Sequence, residues 1–178
     1  MRFTESTLTL AMSTASHRKE APTSVSVSVI TVSDTRTMET DTSGRAIAGL
    51  LERAGHRVHG REVLKDEPAE VEASVRRAIA DANVDVVITT GGTGITSRDS
   101  TYEAIDGLLE KRLDGFGELF RMLSYAEIGA AAMLTRATAG LAGGTIVIAL
   151  PGSEPAVRLG MEKLVLPEIG HLVREARR

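Results

Sequence analysis

The chain has 178 residues, with 21 Lys or Arg against 24 Asp or Glu, a formal net charge of −3, four histidines and no cysteine. That length suits one domain, which buries about 70% of its unfolded surface, and no apolar run approaches the roughly 20 residues that span a membrane. Without a basic footprint, and with 3% aromatic residues, nucleic acid is excluded as a partner; the missing thiols rule out disulfides and thiolate metal sites and fit a reducing, cytoplasmic compartment.

Residues 1–24 are polar, rich in Ser and Thr and without hydrophobic period, and read as a flexible N-terminal tail ahead of a single domain over residues 25–178. The patch from Leu8 to Met12 is too short for a signal-peptide core. Val25 to Val32 alternates valine with serine and then becomes apolar, as a first strand does. It runs into Ser33-Asp34-Thr35-Arg36 and a loop holding Asp41, Thr42, Ser43 and Gly44. That loop reads either as solvated backbone whose Asp41 or Thr42 caps the next helix, or as part of a site. Ile47, Leu50, Leu51 and Ala54 fall at helical spacing, and Gly55 follows as a stop. His56 to Val63 reads as a polar strand near a sheet edge. After it, Pro68 suits a first helical position and makes Glu67 the cap, so the carboxylate of Asp66 is left for other work. Val71, Val75, Ile79 and Ala82 stripe the second helix.

Val84 to Ser100, VDVVITTGGTGITSRDS, holds the central feature. The β-branched run at Val84, Val86, Val87 and Ile88 marks a strand buried on both faces of a parallel sheet. Thr89, Thr90, Gly91, Gly92, Thr93 and Gly94 then form a turn, and Ser100-Thr101-Tyr102-Glu103 matches a capping box that opens a helix. A strand, a glycine turn and a helix N-terminus in that order favour phosphate. A tight connection gives the same pattern. Neither the dinucleotide fingerprint nor the Walker loop is present, since Ser97 stands where a third glycine belongs and no lysine lies between Lys65 and Lys111.

Tyr102, Ile105, Leu108 and Leu109 stripe a third helix, Gly115-Phe116-Gly117-Glu118 breaks the pattern, and Leu119 to Met133 reads as helical again. A short strand from Ala137 to Leu141, a Gly143-Gly144 turn and a buried strand from Thr145 to Leu150 follow. Pro151-Gly152-Ser153 leads into a helix from Val157 to Leu164, and Pro167 separates a last helix from Ile169 to Arg174. Alternating strands and helices imply an α/β fold: a mostly parallel central sheet covered on both faces, with right-handed crossovers. The turns that begin at Ser33, Thr89 and Pro151 open at its carboxyl edge, where ligands bind. His17, His56, His59 and His171 are scattered and form no zinc cluster.

VSD at Val32–Asp34, DTSG at Asp41–Gly44, TTGGTG at Thr89–Gly94, the Arg98-Asp99 pair, GFGE at Gly115–Glu118, FRMLS at Phe120–Ser124 and LPGS at Leu150–Ser153 resemble the MoaB/Mog family of molybdenum cofactor biosynthesis, closest to its MoaB branch, over about residues 25–175. The resemblance implies a three-layer α/β sandwich, homo-oligomers that are trimers or hexamers, and a site taking a small-molecule pterin and a nucleotide. Active members transfer AMP from Mg-ATP to the terminal phosphate of molybdopterin and release pyrophosphate. By motif position the two aspartates that matter for that chemistry are Asp66 and Asp99, which become the catalytic pair and the Mg ligands. Some MoaB-type proteins replace the first aspartate; here it is present. Ser33 and Asp34 are polar contacts by the same resemblance, and Pro151, Gly152 and Ser153 complete the pocket.

Chemistry adds to this. Joining two phosphates requires fixed amides and cations to offset repulsion, and Mg2+ takes one or two carboxylates with phosphate and water. Arg98 and Arg136 are forks for phosphate, or surface and interface pairs. Asp99 has helix capping beside Ser100 as its competing role. Three functions remain: the adenylyltransferase, a molybdopterin-binding or assembly protein without turnover, and a nucleotide hydrolase of other specificity.

Overall fold

The computed structural model describes residues 20–97 and 99–178, so most of the expected tail and Arg98 lie outside the described residues. Residues 20–24 are tied to the domain: Ser24 Oγ donates to the Gly55 carbonyl at 2.8 Å, and Glu20 pairs with Arg174. The strands are β1 (Ser26–Val32), β2 (Arg57–Leu64), β3 (Val86–Thr90), β4 (Lys111–Arg112), β5 (Thr138–Ala142) and β6 (Thr145–Leu150). The helices are α1 (Thr42–Arg53), α2 (Pro68–Ala80), α3 (Thr101–Asp106), α4 (Asp114–Ile128), α5 (Glu154–Gly160) and α6 (Leu166–Ala176).

One sheet runs in the order β2-β1-β3-β6-β5-β4. The first four of these strands are parallel and the β5-β4 edge is antiparallel to its neighbours. Strand periodicity sorts the core into two halves. Val27, Val29, Val86, Ile88, Ile146 and Ile148 face one way and pack with residues of α1, α4, α5 and α6. Ile30, Val32, Val87, Val147 and Ala149 face the other way, toward α2 and α3. The result is the three-layer α/β sandwich expected from the sequence, with β2 at an edge.

Local structure departs from expectation in three places. Gly115–Glu118 does not break a helix but lies inside α4. Phe116 stacks on Phe120 at 6.4 Å between ring centroids, and a Cβ on Gly117 would come within 2.8 Å of the Ala137 carbonyl, so packing outweighs the roughly 1 kcal/mol helical penalty of glycine. The capping box at Ser100 does not form. Ser100 is the N-cap of α3 without a side-chain cap hydrogen bond, and Glu103 pairs with Arg136. Nor does Pro167 separate two helices, because α5 continues through a π turn, Met161–Val165, into α6. The Leu166 amide reaches back to the Met161 carbonyl, and this wider turn accommodates a ring that has no N–H to give. No described helix is long and apolar enough to cross a membrane.

Candidate active site

From β1 the chain steps to β2 on one side and returns to β3 on the other, so a crevice opens beyond the carboxyl ends of β1 and β3. A cavity of about 700 Å3 occupies it. Its walls come from the turns after β1, β2, β3 and β6, together with the end of α4 and the segment that follows it.

The turn after β3 depends on backbone that only glycine adopts freely. Gly91 and Gly92 have φ of +101° and +61°. A Cβ on Gly91 would collide with the Val32 carbonyl oxygen, so the turn lies directly against the end of β1. The Gly91 amide donates to the Leu150 carbonyl at 3.1 Å, and the Thr90 hydroxyl donates to the Pro151 carbonyl at 2.8 Å. Three turns distant in sequence are thereby fixed to one another.

Two carboxylates lie against this glycine turn. Asp66 is 8% exposed. Its Oδ1 accepts from Ser100 Oγ and Thr101 Oγ1, each at 3.2 Å, and its amide donates to Asp34 Oδ1 at 3.2 Å. Its Oδ2 stands 2.6 Å from where a Cβ of Gly92 would be. Asp99 Oδ2 accepts from the Thr96 amide at 3.0 Å and from the Thr96 hydroxyl, and lies 2.5 Å from the Cβ position of Gly94. The Thr96 hydroxyl, helped by the Thr96 and Gly94 amides and by Arg136, holds the Asp99 carboxyl below the ordinary carboxylate range. Both carboxyls line the cavity. The described residues contain no cluster of three His, Cys, Asp or Glu able to hold a metal alone. A carboxylate pair fits Mg2+, which keeps water and substrate oxygens in its shell.

The other expected residues divide. Ser33, Asp34, Gly91, Gly92, Thr93, Gly94, Arg136, Pro151, Gly152 and Ser153 line the cavity. Thr89 and Thr90 are wholly buried beneath it. Arg136 is engaged at the rim: Nε donates to the Thr93 carbonyl at 2.8 Å, the fork pairs with Glu103 and the Gly94 carbonyl, and the guanidinium lies 4.8 Å over the Tyr102 ring. It clamps the glycine turn. Glu103 is held below its usual range by that hydrogen bond.

Sequence reasoning missed Arg36, Ser124 and Glu127, which also line the cavity. Arg36 lay within a loop already singled out, three residues past Ser33, whose Oγ accepts from the Thr35 and Arg36 amides and turns the loop inward. Glu127 had no signal, because only the fold of α4 brings it there.

Residues 28–171 match the family described as "Probable molybdopterin binding domain". Molybdenum cofactor biosynthesis protein B of Bacillus cereus is 51% identical over 168 residues, 94% of this chain and 99% of that one. A crystal structure of a molybdenum cofactor biosynthesis protein B superposes with a TM-score of 0.86 at 51% identity, over 89% of this chain and 99% of that chain. The tungsten cofactor synthesizing protein MoaB from Pyrococcus furiosus gives 0.80 at 41% identity, over 89% and 100%. The chain belongs to the MoaB/Mog family.

Proposed function

We propose that the protein acts in molybdenum cofactor biosynthesis by transferring AMP from Mg-ATP to the terminal phosphate of molybdopterin, with release of pyrophosphate. The observation that carries this reading is that Asp66, from the turn after β2, and Asp99, from the segment after β3, both lie against one glycine turn that lines the cavity. Asp66 and Asp99 would hold Mg2+, which supplies charge neutralisation of the nucleotide phosphates. The glycine turn, which carries no bulky side chain at 91, 92 and 94, would let backbone approach the phosphate oxygens at close range, although the Gly91 and Gly94 amides already have partners. Ser100 and Thr101 orient Asp66, and Thr96 orients Asp99. Arg136 keeps the turn rigid, with its guanidinium nitrogens engaged by the Thr93 and Gly94 carbonyls and by Glu103.

Purified protein given molybdopterin and Mg-ATP is expected to form adenylylated pterin and pyrophosphate in equal amounts. Pterin binding without any product would instead leave a binding or assembly protein, and phosphate release without pterin a hydrolase. Asp99→Asn is expected to lower turnover on the order of a hundredfold or more with the fold intact, because the metal it would hold is mispositioned. Unchanged turnover removes Asp99 from the site.

The same reading includes self-association. Met122, Tyr125, Ile128, Met133 and Leu134 are exposed along α4 and the turn after it, with Met133 at 76%. Exposed large apolar side chains of this kind are what a homo-oligomer covers, and two of them, Ile128 and Leu134, also line the cavity.

A further inference from the structure

Charge is distributed unevenly around the cavity. Its described acidic residues are Asp34, Asp66, Asp99 and Glu127, and its described cations are Arg36 and Arg136. Asp66 is held by Ser100 and Thr101, which begin α3 on one face of the sheet. Arg36 is held from the opposite face. Its Nη1 donates to Ser43 Oγ at 2.8 Å, in the first turn of α1, and to the Gly152 carbonyl at 3.1 Å, just before α5. Ser43 Oγ in turn donates to the same Gly152 carbonyl at 2.7 Å.

Arg136 has Glu103 and two loop carbonyls as partners. Arg36 pairs with no carboxylate among the described residues. One nitrogen anchors its guanidinium in the cavity wall, and this half-buried cation forms no direct ion pair with any described carboxylate of the cavity. This arrangement also accounts for the DTSG segment. Asp41 caps α1, and Ser43 fixes both Arg36 and the turn after β6.

We propose that Arg36 binds the phosphate monoester of the pterin substrate and holds it opposite the nucleotide. This rests on the adenylyltransferase reading above and assigns the second anion in it. The guanidinium fork matches two oxygens of a phosphate dianion. Each reacting anion would then have its own counter-charge: the Mg2+ that Asp66 and Asp99 would hold for the triphosphate, and Arg36 for the pterin phosphate. In the reaction a pterin phosphate oxygen bonds to the α-phosphorus of ATP, the bond from that phosphorus to the bridging oxygen breaks, and pyrophosphate leaves with the electron pair.

The test compares equilibrium binding of molybdopterin and of its dephosphorylated form to the wild type, Arg36→Gln and Arg36→Lys, after circular dichroism has established that each variant is folded. Arg36→Gln is expected to weaken molybdopterin roughly ten- to a hundredfold and to leave the dephosphorylated pterin unchanged. Arg36→Lys falls between. In turnover, KM for pterin rises while KM for ATP does not. Equal loss for both pterins, or no loss for either, overturns the assignment of Arg36 alone. Failure of the wild type to bind molybdopterin overturns the assignment together with the reading it rests on.

Discussion

Asp99 shows how a single side chain joins loop order to chemistry. Its carboxyl is held low chiefly by the Thr96 hydroxyl. A depressed carboxyl contributes its stabilisation fully above the ordinary value, about pH 3.9, and loses it as pH falls through the depressed one. The loop is therefore at full strength at neutral pH and loosens only in strong acid. Replacing Thr96 with Ala is expected to raise the Asp99 titration toward the ordinary range, read by NMR of the side-chain carboxyl carbon. An unmoved midpoint would show that the hydroxyl is not the cause.

Asp41 is the structural counterpart. It is fully buried; its Oδ1 accepts from the Gly44 amide at 2.8 Å, while Oδ2 accepts from Thr31 Oγ1 at 3.0 Å and from Arg61 at 2.9 Å. Asp41→Ala removes the helix cap and strands a partly buried arginine, at a cost of about 3 kcal/mol. Chemical denaturation measures it, and a loss below about 1 kcal/mol would mean that solvent already satisfies Arg61.

At the scale of elements, what could be read from the sequence was what local pattern dictates. Runs such as VVI at Val86–Ile88 and IVIAL at Ile146–Leu150 announced strands because β-branched residues crowd a pleated surface well. The glycine turn announced itself through residues that tolerate positive φ. Ser100 and Glu103 misled because each has a stronger partner far along the chain, Asp66 in one case and Arg136 in the other. Gly115–Glu118 misled because a helical penalty of about 1 kcal/mol is small beside the packing of Phe116 and Phe120. The two-residue β4 is too short to leave any periodicity.

For the whole molecule, the alternation of strands and helices was enough for the layers, and the carboxyl edge followed from them. Arg36 and Glu127 were not legible as site residues, since side-chain direction in a loop and the approach of a distant helix are products of tertiary packing. The exposed face of α4 bears on assembly. Met122 is 60% exposed at its middle, so Met122→Glu would place a charge within any interface that covers it. Light scattering is expected to give an oligomeric mass for the wild type and a smaller species for the variant. A monomeric wild type removes the proposed association.

Because β6 lies between β3 and β5, the last strand to be synthesised is also the one that joins the two parts of the sheet. Until residues 145–150 leave the ribosome, the β2-β1-β3 unit has the β3 margin unpaired as well as the outer edge of β2, and the β4-β5 ribbon has nothing to adhere to. Pairing β3 with β6 closes a loop of more than 50 residues, a slow, non-local step during which an apolar edge stays open to aggregation. The turn that carries Gly152 arrives with that strand, so the pocket is finished only when the sheet itself is.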